Sequence, residues 1–148
     1  MLNGFNSQPM ILALRTCRLA ILPLVLALTG CAVQGSAYQR AATPPARSVV
    51  YIYRPYNLMG SGFVPAINCG DYSTSLGPGG FHKFTIDPGT FHCDVHTEVT
   101  TQAEIDAKPG QECYIRESIW PRWILAHVHL DVPDPDQAQA EIQQCKAQ

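Results

Sequence analysis

The sequence lacks the patterns from which several large classes of function are recognised. Its N-terminal apolar run, residues 19–28, is about half the roughly 20 residues that a membrane-spanning helix needs. No run of like charges occurs, and nucleic-acid binding depends on concentrated Lys and Arg. No C-x-x-C pair indicates zinc or thiol redox chemistry, and no G-x-S-x-G elbow indicates a hydrolase. The sequence therefore assigns no catalytic residue and no cofactor.

The N-terminus has the order of segments typical of an export signal. Arg15 and Arg18 form a positive region, residues 19–28 form a short apolar region, and small residues precede Cys31. Met10 also begins a more compact signal, so the sequence leaves both starts open. Residues 1–30 are predicted to be a signal peptide and are set aside from reasoning about the fold.

The residues Leu28-Thr29-Gly30-Cys31 resemble the lipobox of bacterial lipoproteins. The resemblance implies that Cys31 becomes the first mature residue and carries acyl chains such as palmitate, which hold the chain on a membrane. Ala32 follows the cysteine, which in Gram-negative lipoproteins implies delivery to the outer membrane. We expect a protein of the cell envelope on the periplasmic face of that membrane. The alternative is a secreted protein in which Cys31 is accidental.

The mature chain divides into a tether and one domain. Residues 31–47 comprise the lipidated cysteine and a polar, proline-containing segment, which predicts a flexible tether. Residues 48–148 have the length of a single domain with a modest core. Acidic residues outnumber basic ones, so nucleic acid is an unsuitable partner.

From residue 48 onward, short apolar or alternating segments are separated by Gly and Pro turns. They predict a mainly β domain, an antiparallel β-sandwich or open barrel of seven or eight short strands. A short C-terminal helix should follow, with Asp134 as N-cap, Pro135 at the first position and Ala138, Ile142 and Cys145 on one face. The predicted strands are residues 49–54, 63–69, 72–76, 81–86, 90–97, 100–107, 113–119 and 124–132.

Several motifs resemble small bacterial lipoproteins that carry a domain of unknown function related in shape to PEGA and transthyretin-like sandwiches. The motifs are VYIYRP at residues 50–55, GGF at residues 79–81 and PGTFHC at residues 88–93, and QECYIRE at residues 111–117 fits the same outline. The chain departs from the pattern at residues 120–123, where WPRW stands in place of G-R-P. The resemblance implies the sandwich fold and the envelope location, and it implies no activity.

Four cysteines remain after removal of the signal and lipidation of Cys31. An even number in a small exported domain predicts two disulfides, with three possible connectivities. Cys69 and Cys93 lie on inward faces of their predicted strands and are expected to pair. Cys113 would then pair with Cys145 and fasten the helix to the sheet. The alternative is that the cysteines are free buried thiols.

Histidines give the only indication of site chemistry. His92 and His96 share one strand face, and His127 and His129 share a face of the last predicted strand. If the two strands are neighbours, the four imidazoles could bind zinc or copper. Alternating polar residues on a solvated sheet face explain the same pattern without a ligand.

The segment that contains Trp120, Pro121 and Trp123 is predicted to be a loop that exposes large aromatic rings. We expect it to be a contact surface. The first functional hypothesis is a lipid-anchored, non-catalytic binding or structural module of the envelope, whose partner is a protein or a glycan. The second is a periplasmic metal-binding protein that uses the strand histidines. The third is an envelope hydrolase with an unrecognised site.

Overall fold

A computed structural model describes residues 35–122 and 125–148, with side chains described outside residues 121–126. Within these residues the chain forms nine strands and one helix. They are β1 (Ser48–Arg54), β2 (Ala66–Cys69), β3 (Tyr72–Ser75), β4 (Gly80–Ile86), β5 (Gly89–His96), β6 (Thr100–Ala107), β7 (Glu112–Arg122), β8 (Leu125–Asp131), α1 (Pro135–Ile142) and β9 (Lys146–Ala147).

The strands form two sheets that pack face to face. A five-stranded sheet has the order β8-β7-β1-β4-β9, and a four-stranded sheet has the order β3-β2-β5-β6. The predicted β-sandwich with a C-terminal helix is therefore confirmed. The five-stranded sheet is mixed, because β1 pairs with β7, and β4 with β9, in parallel. Since several other strands intervene between β1 and β7 in the chain, no short hairpin joins these two.

The central position of β1 in the sheet explains why apolar residues follow one another in its sequence without polar alternation. β1 lies between β7 and β4, and all seven of its residues are buried. Val50 and Ile52 face the four-stranded sheet, whereas Tyr51 and Tyr53 face the opposite side. A strand covered on both faces needs no polar alternation.

Two hydrophobic clusters lie on opposite faces of the five-stranded sheet. The inner cluster fills the space between the two sheets, and the outer cluster lies beneath α1. The inner cluster contains Val50, Ile52, Ile67, Cys69, Leu76, Phe84, Ile86, Phe91, Cys93, Val95, Ala103, Ile105, Ala107, Cys113, Ile115, Ile119, Val128 and Leu130. The outer cluster contains Val49, Tyr51, Tyr53, Phe81, Tyr114, Ala138, Ile142 and Cys145.

Helix α1 begins as its sequence predicts. The Asp134 carboxylate accepts a hydrogen bond from the backbone N–H of Asp136 at 3.0 Å, and Pro135 occupies the first turn. Ala138 and Ile142 are buried against the sheet. The helix ends at Ile142, so Cys145 follows it in the turn before β9 and is buried in the same outer cluster.

One of the two predicted disulfides is present. Cys69 and Cys93 form a disulfide between β2 and β5 with a Cα–Cα distance of 4.1 Å, as expected. Cys113 and Cys145 are both free and buried, so the prediction that they pair is wrong. Cys113 belongs to the inner cluster and Cys145 to the outer one. The helix packs on the face of the sheet opposite to Cys113, and the sheet separates the two thiols.

The described part of the predicted tether, residues 35–47, makes specific contacts with the domain. Ala37 forms an isolated antiparallel bridge with Lys146. The Ser36 carbonyl accepts a hydrogen bond from the N–H of Ala147 at 2.9 Å. A side chain at Gly35 would collide with the carbonyl of Ala147. From Gly35, the first described residue, the segment is therefore in contact with the domain.

Aromatic packing continues this contact. The Tyr38 ring meets the rings of Tyr51 and Phe81 edge to face, with centroids 5.3 Å and 5.6 Å away. Two residues further along, the Arg40 side chain donates a hydrogen bond to the carboxylate of Glu112 at 2.7 Å. The segment thus covers part of the outer cluster that α1 leaves open.

Strand β7 continues through the segment that was predicted to be a loop. Trp120 and Pro121 lie within β7, where Pro121 is paired with Ala126 of β8. The prediction of a loop is wrong for these residues, and Trp123 lies outside the described residues. Among the described strands, β1 pairs with β7 only as far as Arg116, so this edge of β7 is unpaired beyond that residue. Proline is tolerated in the part of β7 beyond, because it lacks an N–H and no strand on that side requires one.

Candidate functional site

An open cleft of about 460 Å³ lies at the end of the sandwich where β1 stops and β7 continues. We call it the end cleft. The segment after β1 forms one wall, the uncovered edge of β7 forms another, and side chains of β8 and α1 close the base. Its lining includes Tyr56, Met59, Ser118, Trp120, His129 and Asp131.

The wall after β1 is held by a buried arginine. Arg54 is 2% exposed, and its guanidinium donates hydrogen bonds to three backbone carbonyls. The acceptors are Phe63 at 2.7 Å, Leu76 at 2.9 Å and Gly60 at 2.8 Å. Arginine suits this position because its planar group carries five N–H donors in a fixed arrangement. The residues between β1 and β2 are therefore fixed at two points.

Gly60 is needed in this wall for two reasons. Its backbone has φ +81°, a conformation that residues with a side chain rarely adopt. A Cβ there would also lie 2.8 Å from a methyl carbon of Ile119 on β7. The loop can therefore approach β7 closely only with glycine at this position.

A buried carboxyl group lies beside the arginine. Glu117 follows the last residue of β7 that pairs with β1, and it is fully buried. Neither of its carboxyl oxygens has a hydrogen-bond partner among the described residues. Burial raises the pKa of Glu117 to about 7, although the positive charge of Arg54 opposes the shift. The carboxyl thus ionises near neutral pH.

Replacing Glu117 with glutamine should change how stability depends on pH. The folded-state pKa of about 7 lies above the ordinary value of 4.5, so the folded protein holds the proton more tightly than the unfolded chain. Wild-type stability should therefore fall as pH rises through this window. Relative to Glu117→Gln, we expect the wild type to lose about 2.5 kcal/mol between pH 5 and pH 8, measured by urea unfolding at both values.

The control for this experiment is Glu104→Gln. Glu104 is exposed on β6, so its substitution should shift the unfolding free energy by a similar small amount at both pH values. If the difference between Glu117→Gln and wild type is the same at pH 5 and pH 8, the raised pKa is contradicted.

A network of charged groups forms the base of the end cleft. Arg116 contacts both oxygens of Asp131, at 3.2 Å and 2.8 Å, and Glu141 of α1 at 3.0 Å. Tyr53 donates its hydroxyl to Glu141 at 2.7 Å. Burial would raise the pKa of Glu141, but the hydrogen bonds from Tyr53, Gln137 and Arg116 outweigh it and hold the pKa low. The helix is therefore tied to the sheet beneath the cleft.

Large apolar side chains are exposed in the segment after β1 and at Trp120, and three of them line the end cleft. Of the nine large apolar side chains exposed in the described residues, six lie in the segment after β1 or at Trp120. Exposed fractions of 73% at Leu58 and 63% at Trp120 are high for such side chains. We call this set the apolar rim, which consists of Tyr56, Leu58, Met59, Phe63, Val64 and Trp120.

The cleft also brings a hydroxyl and an imidazole onto neighbouring strands. Ser118 of β7 is paired in register with His129 of β8. No hydrogen bond joins their side chains in the described part of the chain, and both oxygens of the nearby Asp131 are bound by Arg116. Among the described residues of the cleft, Ser118, His129 and Asp131 are therefore not joined as a serine–histidine–aspartate triad.

The four candidate metal ligands do not come together. His92 and His96 lie on β5 in the four-stranded sheet, whereas His127 and His129 lie on β8 in the five-stranded sheet. The condition for the metal site, that the two histidine strands be neighbours, is not met: β5 lies between β2 and β6, and β8 pairs with β7 in the other sheet. In residues 35–122 and 125–148, no group of three or more potential ligands is arranged to hold a metal ion.

His96 has a different role at the end of β5. Its Nε2 lies 2.8 Å from the carboxylate of Asp94, and its Nδ1 lies 3.0 Å from the hydroxyl of Thr100. The imidazole is mostly exposed on the β5–β6 hairpin. These contacts join the two strands at the hairpin and lie outside the end cleft.

Sequence reasoning missed Arg54 and Glu117, which shape this site. The sequence pattern predicts Arg54 only as the last residue of an ordinary strand. Glu117 follows Cys113 and Ile115 at every second position, and all three face inward. This alternation is the signal in the sequence that places Glu117 on the inner face of its strand, where a carboxyl group is unusual.

Comparison with models of known protein families gives no match, and comparison with curated proteins gives none either. The resemblance to small bacterial lipoproteins therefore stays a prediction. Within the described residues, no helical segment has the length and hydropathy required to span a bilayer.

Proposed function

We infer that the chain is a lipid-anchored, non-catalytic module of the cell envelope. In this proposal the lipid is attached at Cys31, the domain lies on the periplasmic face of the outer membrane, and the end cleft contacts an envelope protein or glycan. The anchor is supported by the lipobox-like residues 28–31 and by the signal pattern before them.

The observation that carries the contact function is the end cleft with its fixed polar base and exposed Trp120. Binding sites are concave and combine apolar surface with a few oriented polar groups. Arg116, Asp131 and Glu141 supply such groups, already held in place by their mutual ion pairs. Exposed Trp120 supplies a flat apolar face of the type that packs on sugar rings and on partner side chains. Both arguments favour binding over structural support alone.

A photo-crosslinking amino acid placed at Ser118 tests this contact in intact cells. Ser118 lies within the cleft, so we expect a discrete adduct, a protein of defined mass or a glycan released by glycan-degrading enzymes. The matched control is the same amino acid at Ser73, which is exposed on β3 away from the cleft. Adducts of equal yield from both positions, or none from position 118, would contradict the contact function.

The anchor is tested separately by the intact mass of protein purified from membranes. We expect the mass of a chain that begins at Cys31 and carries acyl chains. A chain that retains residues 1–30, or that begins at Cys31 without lipid, would remove the anchor from the proposal.

A further inference from the structure

We propose that the end cleft is controlled by a proton on Glu117: Arg54 holds the wall after β1 against β7 while this carboxyl group is protonated, and the wall moves away from β7 when the proton is lost. The movement is a property of the domain itself. Its effect on a bound partner rests on the proposed function.

Arg54 and Glu117 are cross-strand neighbours at the point where β1 ends. Tyr53 of β1 is paired in parallel with Arg116 of β7, so the next residue of each strand lies at the same level. Each of the two lies two positions after an inner-cluster residue of its own strand, and each side chain is therefore directed between the sheets. Both residues are at most 2% exposed, and both line the end cleft. A guanidinium and a carboxyl group are thus buried side by side.

The two groups are not joined by a hydrogen bond in this structure. Arg54 donates to the carbonyls of Gly60, Phe63 and Leu76, whereas neither oxygen of Glu117 has a hydrogen-bond partner among the described residues. A carboxylate in this position would be a buried charge without a hydrogen bond, which is far more costly than a neutral carboxyl group. The arrangement is therefore the one expected while Glu117 is protonated.

Arg54 is the charged group that acts on Glu117 from within the sandwich. β8 presents Leu130 to it, and the inner cluster contains apolar side chains and cysteines alone. Burial raises the pKa of the nearest of these cysteines, Cys113, so its thiol is neutral. The charged or titratable side chains of β7, β8 and α1 that line the cleft on the outer side of the sheet are Arg116, His129, Asp131 and Glu141.

Loss of the proton gives the guanidinium of Arg54 a stronger acceptor than the wall. A hydrogen bond between opposite charges is stronger than one from a guanidinium to a neutral carbonyl, above all in a buried site. The guanidinium is a rigid plane that moves as one unit. Because no N–H of Arg54 bonds Glu117 in the described arrangement, turning the plane towards the carboxylate draws its donors away from Gly60 and Phe63. The wall then loses the bonds that hold it.

The movement falls near neutral pH. Burial raises the pKa of Glu117 to about 7, and the positive charge of Arg54 opposes the shift. The wall is therefore held at pH 5 and released at pH 8.

The contact between Gly60 and Ile119 follows the position of the wall in solution. A Cβ at Gly60 would lie 2.8 Å from the γ2 carbon of Ile119, so the Gly60 α protons and this methyl group give a nuclear Overhauser effect while the wall is held. In the wild type we expect this signal to fall by at least about half between pH 5 and pH 8, because most molecules lose the proton in this window. In Glu117→Gln the signal should be equally strong at both pH values.

Two controls separate this movement from other effects of pH. The rings of Tyr72 and Phe84, with centroids 5.1 Å apart, lie outside the lining of the cleft, and their contact should be unchanged in both proteins. Glu117→Met, a second neutral side chain of similar length, should behave as Glu117→Gln does. The signals come from the folded protein, so they do not depend on how pH changes the free energy of unfolding.

Crosslinking from Ser118 tests the effect on a partner. We expect the adduct yield of the wild type in isolated membranes to be about fivefold lower at pH 8 than at pH 5, because few molecules then keep the wall in place. With Glu117→Gln in the same chain, the yield should be the same at both pH values.

The outcomes distinguish this inference from the proposed function. A Gly60–Ile119 signal of equal strength at pH 5 and pH 8 in the wild type would show that ionised Glu117 leaves the wall in place, and would overturn the inference. A loss of signal that also occurs in both neutral variants would assign the movement to another group and overturn it as well. An adduct whose yield does not change with pH would contradict control of the contact. Absence of any adduct would contradict the proposed function, while the Gly60–Ile119 signal still decides the movement of the wall.

Discussion

Replacing Arg54 with methionine is expected to lower the free energy of unfolding by about 4 kcal/mol. The substitution keeps an aliphatic side chain in the buried space but removes the donors to the carbonyls of Gly60, Phe63 and Leu76. It also removes the positive charge beside the buried carboxyl group of Glu117. Chemical denaturation of the purified domain measures the loss.

The matched control is Arg47→Met. Arg47 also donates to two backbone carbonyls, of Ile86 and Thr85, but its side chain is 41% exposed. Water can replace an exposed donor, so we expect a loss of about 1 kcal/mol or less there. Equal losses of unfolding free energy at Arg54 and Arg47 would contradict the inference that the buried hydrogen bonds of Arg54 stabilise the fold. Arg54→Lys should recover only part of the loss, because one ammonium cannot reach all three carbonyls.

Removing the disulfide by substituting Cys69 and Cys93 with alanine is expected to lower the unfolding free energy by about 3.5 kcal/mol. The bond joins residues separated by 24 positions, and closing a loop of this length restricts the unfolded chain. Urea unfolding of the double variant and the wild type measures the difference. The same experiment in a strong reductant is the control, and there the two proteins should unfold at nearly the same urea concentration.

Alkylation of the unfolded, unreduced wild type gives an independent check of the connectivity. Cys113 and Cys145 are free, so among the cysteines of the described residues we expect these two alone to react. Four reactive thiols would contradict the Cys69–Cys93 bond, and none would indicate that Cys113 and Cys145 also pair.

The fold was largely predictable because its signals are local. Residues 49–53 are continuously apolar, Asp134 and Pro135 begin a helix, and Cys69 and Cys93 fall on inward faces. Each of these features depends on neighbouring residues or on the alternation of a single strand. The strand order was not predictable from such signals, because it depends on which distant strands meet.

The errors in the prediction follow from that limit. The pairing of Cys113 with Cys145 is predicted only by elimination, and it fails because the two residues are buried on opposite faces of the five-stranded sheet. Pro121 predicts a break in the strand, yet a strand tolerates proline where no neighbouring strand needs its N–H. The sequence predicts a contact surface at Trp120, but the charged groups that form the base of the cleft come together through the pairing of β7 with β8 and the packing of α1 on the sheet.

The separation of the two free thiols has a consequence for oxidative folding. Four cysteines of the described residues can form six different pairs, and the native structure uses one of them. In an oxidising compartment, an unfolded chain has five ways to acquire a bond that the folded protein does not contain. Maturation should therefore depend on a disulfide isomerase, and cells without one should accumulate mispaired chains. In the folded protein both free thiols are buried, and burial raises the pKa of each, so few thiolates are present to exchange with the native bond.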